Sequence, residues 1–457
     1  MSFPHHIFKA YDIRGVVSTC LTPSMVTLIG QAFGSAVLAE GGKQVVIGRD
    51  GRLSGPELSS ALARGLQASG VDVIDIGLAP SPLVYYACFA KGTPSCIAIT
   101  GSHNPPEYNG LKMVIEGVTL SAERIQELKQ RVIEQDFEQG KGSYTTAHVL
   151  DDYLAEITAD IKPQRSLNVV IDCGNGAAGL SAPAVFKAIG CTVTELYSEV
   201  DGTFPNHHPD PSLLENLSDL IQTVKATGAD LGLAFDGDGD RLGVVSQKGE
   251  VIWADRQMIL FAQDVLARNP GAEIIYDVKC SRNLPAAIAA AGGKATMWRT
   301  GHSFIKAKLK ETNAALAGEM SGHIFFKERW YGFDDGVYAG ARLIELLAKS
   351  DHSPQRIFDA LPNSINTPEL RIEFNEGEHY VFMQKLIDAA HFPSGTISSI
   401  DGLRVDFDDG FGLIRPSNTT PILVLRFEAD TPQGLKTIQD QFGSLLHSID
   451  AELTLPF

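Results

Sequence analysis

The chain has 457 residues, of which 44% are hydrophobic and 20% charged, and its formal net charge at pH 7 is -17. This length favours two to four domains over one core, and the composition is that of a globular protein rather than a disordered one. The negative charge argues against a nucleic-acid partner, because binding to a phosphate backbone needs a basic surface, but it does not exclude a phosphorylated small molecule.

We expect the chain to carry no signal for export or for membrane insertion. No apolar run is long enough to span a bilayer, and the first nine residues lack the apolar segment of a signal peptide. The six cysteines show no paired spacing, and three of them (Cys96, Cys173 and Cys191) lie in or against apolar strand-like runs. We therefore expect buried, reduced thiols and a cytoplasmic protein with no membrane partner.

The first hundred residues predict alternating helices and strands. Thr22-Pro23 is a typical helix start, with a capping residue before a proline at the first helical position. Residues 44–50 read as a buried strand, and Ser54 to Glu57 has the pattern of a capping box that opens the next helix. A second strand at 71–77 and a helix around 82–90 lead to a third strand, which ends just before Ser102.

The same strand-helix-strand-helix-strand pattern occurs twice more. The second copy has strands at 167–175, 191–196 and 229–235, and the third has strands at 272–277, 294–298 and 314–317. Three such units in series predict three related α/β domains with mostly parallel sheets. In every copy the third strand runs into the most polar, glycine-bearing loop of its unit, so we expect the three loops to meet in one cleft.

The last ~95 residues follow a different pattern. Apolar residues alternate with a period of two in 405–407, 412–415 and 422–428, as in an antiparallel sheet, and a helix around 431–448 follows. We therefore predict four domains around a central cleft: 1–147, 148–250 and 251–362 as α/β domains, and 363–457 as an α+β domain.

Ser102 in the first polar loop is a candidate to carry a covalent intermediate. It follows a buried strand and Gly101, and His103 supplies a basic group beside it. A turn serine that bonds only to its own backbone is the competing interpretation for an isolated Ser-His pair.

The second loop has carboxylates at Asp236, Asp238 and Asp240, separated by glycines. This spacing directs the carboxylates to one side, and the glycines allow the loop to curl, so a cation is expected between them. The EF-hand interpretation fails because Arg241 and Gln247 stand where glycine and glutamate are required. Three oxygen ligands with space left for a phosphate oxygen suit Mg²⁺.

Two further loops contribute weaker signals. Glu319, Ser321 and His323 offer an acceptor, a hydroxyl and an imidazole that suit the hydroxyl groups of a sugar, although an ordinary polar turn fits them as well. Residues 415–421 combine Arg415 with hydroxyls, an amide and a bend, which matches a phosphate-binding loop or an ordinary hairpin connection. Residues 300–303 precede a helix and read either as an anion site or as a cap.

Taken in this order, Thr100-Gly-Ser-His-Asn-Pro105, Asp236-Gly-Asp-Gly-Asp-Arg241, Gly318-Glu-Met-Ser-Gly-His323 and Arg415-Pro-Ser-Asn-Thr-Thr420 resemble one family, the α-D-phosphohexomutases. The resemblance covers nearly the whole chain, from Lys9-Ala-Tyr-Asp-Ile-Arg-Gly15 onward, and its motifs are most similar to the bacterial phosphomannomutase/phosphoglucomutase branch. The phosphoglucosamine branch usually has glutamine where Met320 stands.

The resemblance implies reversible phosphoryl transfer between the 1- and 6-positions of mannose and glucose phosphates, through a phosphorylated Ser102 and a 1,6-bisphosphate. It implies Mg²⁺ bound by Ser102 and the three aspartates, with hexose 1,6-bisphosphate as an activator. Glu319 and Ser321 would contact the sugar, and the non-reacting phosphate would be held by Arg415, Ser417, Asn418 and Thr419.

Other residues are expected around the same cleft. Arg241 directly follows the three aspartates and can offset negative charge on the transferred phosphoryl group. Lys112 and His323 are the candidates for proton transfer. The remaining residues expected to line the cleft are Lys9, Tyr11, Arg14, His103, Lys279 and His302.

Three alternatives remain open at this stage: a phosphoglucosamine mutase, a sugar phosphatase in which water accepts the phosphoryl group, and a sugar-phosphate sensor without catalysis. The last needs neither Ser102 nor a metal loop. The sequence has no extended apolar seam, so we expect a monomer.

Overall fold

The computed structural model describes residues 3–418 and 420–457. These residues form four β-sheets in chain order, with seven, four, four and six strands. No helix in the described ranges is both long and apolar enough to cross a membrane.

The first sheet and its helices are built from residues 13–146. The elements are β1 (Ile13–Val16), α1 (Pro23–Ala39), β2 (Gln44–Arg49), α2 (Gly55–Ser69), β3 (Asp72–Leu78), α3 (Ser81–Lys91), β4 (Cys96–Ile99), β5 (Tyr108–Ile115), β6 (Val118–Thr119), α4 (Glu123–Glu134) and β7 (Tyr144–Thr146). Thr22 caps α1 as expected, because its hydroxyl accepts a hydrogen bond from the Met25 amide at 3.3 Å.

The second and third sheets each have four strands. The second part contains α5 (Leu150–Asp160), β8 (Asn168–Asp172), α6 (Ala182–Ala188), β9 (Thr192–Leu196), α7 (Ser218–Thr227), β10 (Leu231–Phe235) and β11 (Leu242–Ser246). The third contains α8 (Ala254–Arg268), β12 (Glu273–Asp277), α9 (Asn283–Ala290), β13 (Lys294–Trp298), α10 (His302–Thr312), β14 (Leu316–Gly318), β15 (Ile324–Phe326), α11 (Gly336–Lys349) and α12 (Pro354–Asp359).

The predicted repeat is confirmed by the strand order. The orders β5-β4-β2-β3, β11-β10-β8-β9 and β15-β14-β12-β13 are the same arrangement three times, with the first three strands of each unit parallel. Each unit adds a feature that the sequence pattern did not indicate. The polar loop turns back into an antiparallel strand, so it closes a hairpin at the edge of the repeat.

The fourth part is the expected antiparallel sheet with helices. Its elements are β16 (Ile365–Asn366), β17 (Leu370–Glu373), α13 (Glu378–Ala389), β18 (Thr396–Ser398), β19 (Leu403–Phe407), β20 (Gly410–Pro416), β21 (Ile422–Ala429) and α14 (Pro432–Ile449). It has its own apolar core around Leu403, Leu425 and Phe442.

The first three sheets are held together by one continuous apolar cluster. It runs from Val84 on α3 through Tyr153 on α5 and Phe186 on α6 to Tyr338 on α11. Burial of apolar surface is the main favourable contribution to folding, so a cluster shared by three sheets resists their separation. The three parts therefore form a common support for the loops between them.

Two arginines attach the fourth sheet to the third. Arg404 donates from NH1 to the carbonyl oxygens of Val278 at 2.7 Å and Cys280 at 2.8 Å. Arg426 donates to the carbonyl oxygen of Lys279 between them. The segment that carries Lys279 is thus held by guanidinium groups of the C-terminal part.

Two local expectations are wrong. Ser54 does precede α2, but its side chain accepts no helix amide; instead its hydroxyl accepts from the Asn109 amide at 2.9 Å, so no capping box forms. Asn109 on the neighbouring strand β5 competes successfully for that oxygen. Cys191 is partly exposed rather than buried, because it stands just before β9 at the sheet edge, whereas Cys96 and Cys173 are buried as expected.

Candidate active site

The ends of four strands meet in one cleft. Strand β4 ends three residues before Ser102, β10 ends at the residue before Asp236, and β14 ends at the residue before Glu319. Arg415 lies in β20 of the fourth sheet. Backbone contacts join the loops, since Ser81 donates its amide to the Asp238 carbonyl at 2.9 Å and Arg241 forms a β-bridge with His323.

The Ser102 loop is organised around the fully buried Arg52. Its guanidinium donates to the carbonyl oxygens of Ser102, Asn104, Pro105 and Tyr108 at 2.8, 2.6, 2.6 and 2.9 Å. Asp50 neutralises this guanidinium at 3.2 Å. Four backbone acceptors are therefore satisfied by one side chain, which holds a loop that has no regular secondary structure of its own.

Ser102 itself adopts a backbone conformation that is uncommon for a residue with a side chain. Its φ angle is +50°, and its amide donates to the Thr100 hydroxyl at 2.7 Å. Non-glycine residues with positive φ concentrate at functional sites, where the surroundings maintain the strain. The hydroxyl oxygen of Ser102 lies 3.1 Å from Asp236 Oδ2 and 3.1 Å from His103 Nδ1.

The three predicted carboxylates do converge. Asp236, Asp238 and Asp240 are fully buried, and each offers an oxygen such that the three oxygens lie within 4.8 Å of one another. The loop packs directly on the serine, since a Cβ at Gly237 would stand 2.4 Å from the Ser102 carbonyl oxygen. Glycine is required there by this close approach.

Lys112 on β5 supplies a positive charge to this cluster. Its ammonium donates to Asp238 Oδ2 at 2.7 Å and to Asp240 Oδ2 at 2.5 Å. Burial alone would lower the pKa of Lys112, but the two carboxylates raise it above its usual range. Burial and neighbouring carboxylates raise the pKa of Asp236 and of Asp240, which is the expected result for acidic groups crowded together.

Arg14 and His103 lie on the other side of the serine loop. Arg14 on β1 is paired with Asp12 and donates from NH1 to the Asn104 side-chain oxygen at 2.5 Å. Burial, followed by the charges of Arg241 and Arg14, lowers the pKa of His103 well below its usual value. A neutral His103 is therefore favoured beside the Ser102 hydroxyl. Lys9 is half-buried, with its amide bonded to the Asp12 carbonyl at 3.0 Å.

His323 is the point where the second and third loops meet. Its Nε2 accepts from Arg241 Nε at 3.0 Å, and its Nδ1 lies 3.1 Å from Asp334 Oδ2. Asp334 also pairs with Lys306 at 2.9 Å, and the buried His302 lies 3.7 Å from it. Tyr11 packs edge-on against His302, with ring centroids 5.4 Å apart.

Asp335, the residue after Asp334, is a buried carboxyl group with a pKa near neutral pH. Asp335 caps α11 through the Tyr338 amide at 2.9 Å and accepts from the Tyr153 hydroxyl at 3.0 Å. Burial raises its pKa from 3.8 to about 7 although both hydrogen bonds oppose the shift. Because the folded state then binds this proton more tightly than the unfolded state, the stability contributed by Asp335 falls as pH rises from about 4 to about 7.

We expect Asp335→Asn to remove this pH dependence while keeping the helix cap, since asparagine is an equally good capping residue. The thermal unfolding midpoint of the variant minus that of the unaltered chain should therefore increase from pH 5 to pH 8. The underlying effect is limited to about 4 kcal/mol for a shift of this size. The exposed Asp351→Asn serves as the control, and an equal response of both variants would contradict the assignment.

The loop that follows β14 is oriented by a backbone amide. Glu319 is buried, and its Oε1 accepts from the Gly301 amide at 2.6 Å. Burial raises its pKa above the usual value. Ser321 stands in the same turn and is partly exposed. Lys279 is buried and paired with Glu369 at 2.6 Å, and its charge lowers the pKa of Glu369 to about 2.

The C-terminal loop brings Arg415 and Ser417 to the remaining side of the cleft. Arg415 is buried and pairs with Asp401, with Nε 2.8 Å from Asp401 Oδ2. The Ser417 hydroxyl lies 3.1 Å from that of Thr420, and Asn418 is partly exposed in the bend. Thr419, which the resemblance also implicates, lies outside the described residues.

Four residues with evident roles in this arrangement were not among the predicted site residues: Arg52, Asp334, Glu369 and Asp401. Arg52 was detectable, because Asp50-Gly51-Arg52 follows the C-terminal end of a buried strand, as the other loops do. The other three carry no local pattern. They are distant in sequence from the groups they contact, and only the fold makes them neighbours.

Family models match the chain in four consecutive segments. They describe the phosphoglucomutase/phosphomannomutase alpha/beta/alpha domains I, II and III over residues 5–139, 151–249 and 253–365, and the C-terminal domain of the same family over residues 369–444. Together these segments cover most of the chain.

Full-length relatives agree with this result. A phosphomannomutase/phosphoglucomutase of Pseudomonas aeruginosa is 52% identical over 100% of this chain and 98% of its own length. A phosphoglucomutase of Neisseria gonorrhoeae is 52% identical over 98% of both chains. A crystal structure of a phosphoglucomutase/phosphomannomutase family protein from Burkholderia thailandensis superimposes with a TM-score of 0.95 at 53% identity, over 99% of both chains. The chain belongs to the phosphoglucomutase/phosphomannomutase family.

Proposed function

We propose that this chain interconverts the 1- and 6-phosphates of mannose and glucose, through a phosphorylated Ser102 and a hexose 1,6-bisphosphate. Hexose-phosphate mutase activity agrees with the family and with the full-length relatives. The observation that carries the serine mechanism is the position of the Ser102 hydroxyl, 3.1 Å from a cluster of three buried aspartates at the meeting point of four loops.

The residues of this cluster fit a hard divalent cation such as Mg²⁺. The three carboxylates converge, and Oδ1 of Asp238 and Oδ1 of Asp240 have no hydrogen-bond partner among the described residues. Oxygen donors of this kind are those that Mg²⁺ prefers. With Ser102 they would hold the ion, which would withdraw negative charge from a phosphoryl group on the serine.

In the first transfer, a hydroxyl oxygen of the bound sugar phosphate attacks phosphorus while the bond from phosphorus to Ser102 Oγ breaks. The proton of that hydroxyl passes to a group of the chain. Of our two candidates for proton transfer, His323 would accept this proton, whereas Lys112 is held as an ammonium by Asp238 and Asp240 and would act as a donor. The product is the 1,6-bisphosphate. After it reverses its orientation, its other phosphate returns to Ser102 Oγ and the proton returns to the newly freed sugar oxygen.

The charges around Ser102 suit this transfer. Arg14 and Arg241 flank the serine loop and the aspartate loop, and both are buried or nearly so. Phosphoryl transfer depends mainly on positioning and on stabilising the charge of the transferred group, and buried cations do both. No further nucleophile is needed.

The other end of the substrate is assigned to the third and fourth parts of the chain, with Tyr11 from the first. Glu319, Ser321, His302, Tyr11 and Lys279 would contact the sugar. Arg415, Ser417, Asn418 and Thr419 would hold the phosphate that does not react. A site with one reactive end and one holding end accepts either orientation of the bisphosphate, which the mechanism requires.

Further expectations accompany this proposal. Hexose 1,6-bisphosphate would act as an activator by supplying the phosphoryl group to unmodified Ser102. The domain boundaries would fall at 147/148, 250/251 and 362/363, and the protein would act as a cytoplasmic monomer.

Phosphorus NMR tests the function directly. The protein with Mg²⁺ and a trace of glucose 1,6-bisphosphate is given mannose, glucose or glucosamine 1-phosphate in separate tubes. We expect 6-phosphate to appear fastest with mannose and glucose, and no conversion after Mg²⁺ is removed with EDTA. Faster conversion of glucosamine phosphate would favour the phosphoglucosamine mutase. Release of inorganic phosphate instead would make the protein a phosphatase.

A further inference from the structure

We propose that Asp401 is a positioning residue that aligns the phosphate-holding end of the cleft with the sugar-binding end. It rests on the proposed function, in which Arg415 binds the phosphate that does not react. It rests on a set of short contacts that join the fourth sheet to the loop between β13 and α10.

The first contact is a two-point pair between Asp401 and Arg415. Arg415 donates from Nε to Asp401 Oδ2 at 2.8 Å and from NH2 to Asp401 Oδ1 at 3.3 Å. Such paired hydrogen bonds between a guanidinium and a carboxylate restrict the plane of the guanidinium. NH1 is outside the pair and makes no hydrogen bond within the described residues, so it remains available to a ligand.

The backbone next to Asp401 packs closely against the strand that carries Arg415, which keeps the two side chains together. Gly402 has a φ angle of +85°, and a Cβ on it would stand 2.3 Å from the Ile414 carbonyl oxygen and 2.6 Å from the Arg415 Cα. The turn that carries Asp401 therefore lies directly against the strand that carries Arg415. A side chain at position 402 would force the two segments apart.

The second contact connects this pair to the third part of the chain. Asp401 Oδ2 also accepts from the Thr300 amide at 2.9 Å. The next amide along the chain, that of Gly301, donates to Glu319 Oε1 at 2.6 Å. Two consecutive peptide N–H groups thus bind two carboxylates: the Thr300 amide binds Asp401, which orients Arg415, and the Gly301 amide binds Glu319, which is assigned to the sugar.

The Thr300 segment is itself restrained. The Thr300 hydroxyl donates to Asp277 Oδ2 at 3.1 Å, and Asp277 Oδ1 accepts from the Met320 amide at 3.3 Å. The segment is therefore tied to the loop that contains Glu319. Through Asp401, the separation between Arg415 NH1 and Glu319 is set by hydrogen bonds and not by the stiffness of the interdomain connection alone.

The test compares Asp401→Asn with Asp406→Asn. Asp406 makes the same kind of pair with Arg404 in the same sheet, at 3.1 Å to Nε and 2.8 Å to NH2, but Arg404 points its other nitrogen at backbone carbonyls and not at the cleft. We expect Asp401→Asn to raise KM for glucose 1-phosphate about tenfold or more, the effect of one lost charged hydrogen bond. Its kcat should change less than about threefold, since Ser102 is untouched.

A second comparison tests whether Asp401 acts through Arg415. Lysine has no planar fork to orient, so in an Arg415→Lys background the Asp401→Asn change should add less than about twofold to KM. Equal KM values for Asp401→Asn and Asp406→Asn, or additive effects with Arg415→Lys, would overturn the proposal. If thermal unfolding shows that Asp401→Asn is not folded, Asp401→Glu is measured by the same criteria.

The proposal can fail independently of the mutase function. Binding of glucose 6-phosphate to each variant is measured by calorimetry in the absence of turnover. Weaker binding by Asp401→Asn than by Asp406→Asn supports the alignment even for a phosphatase or a sensor. Equal binding by the two variants overturns it even where the unaltered chain is an active mutase.

Discussion

Replacing Ser102 by alanine is expected to reduce mutase turnover by at least about a thousandfold, because the group proposed to carry the phosphoryl intermediate is lost. The fold should survive. Among the residues that the structure describes, the Ser102 hydroxyl forms hydrogen bonds with Asp236 and His103 alone, and its amide and carbonyl contacts remain in the variant.

Two measurements check this expectation: the rate of 6-phosphate formation by phosphorus NMR, and the mass of the protein after incubation with glucose 1,6-bisphosphate. The unaltered chain should gain one phosphoryl group, and the variant none. Ser95→Ala is the control, since Ser95 is a buried serine just before the start of the same strand and bonds to Glu116 at 3.0 Å. Near-full activity of the alanine variant without a phosphorylated residue would refute a covalent serine mechanism.

Replacing Arg52 by methionine is expected to give the largest loss of stability in the first part of the chain. The substitution keeps much of the side-chain volume but removes the guanidinium that donates to four backbone carbonyls and neutralises the buried Asp50. Removing one member of a buried ion pair typically costs about 3 kcal/mol or more. Activity should fall about a hundredfold as well, because the Ser102 loop loses its support.

The control for this variant is Arg124→Met. Arg124 pairs with Glu40 at a partly exposed position, where ion pairs contribute about 1 kcal/mol or less. Thermal unfolding and turnover are measured for both. If Arg52→Met unfolds at the same temperature as Arg124→Met, or retains full activity, the four carbonyl contacts do not hold the loop as described.

Much of this organisation could be predicted from the sequence, because it depends on local patterns. Strand β10 is a continuous apolar run that is followed by three alternating aspartates, which is the pattern of a buried strand whose C-terminal end opens into a polar loop. The same reasoning located Ser102 and Glu319. The capping box at Ser54 shows where it fails, since the pattern is correct and a residue from another strand takes the hydrogen bond.

Contacts between distant segments were beyond prediction. Asp401 lies 101 residues from Thr300 and pairs with Arg415 across a turn. Asp334 reaches His323 only because α11 begins beside the loop that follows β14. Carboxylates are common on protein surfaces, so an isolated Asp or Glu in the sequence carries little information. Their roles arise from burial and from the cation each one faces, and both are properties of the folded chain.

The recurrence of one strand order three times, each with a return strand after the chemically important loop, also bears on the origin of the molecule. Duplication of a single ancestral gene segment is the simplest source of three units with identical connectivity. An ancestor of three equal units would have presented three identical loops to its cleft. Under the proposed function one loop serves the phosphoryl group, one the cation and one the sugar, and this division of labour would then record the loss of that symmetry.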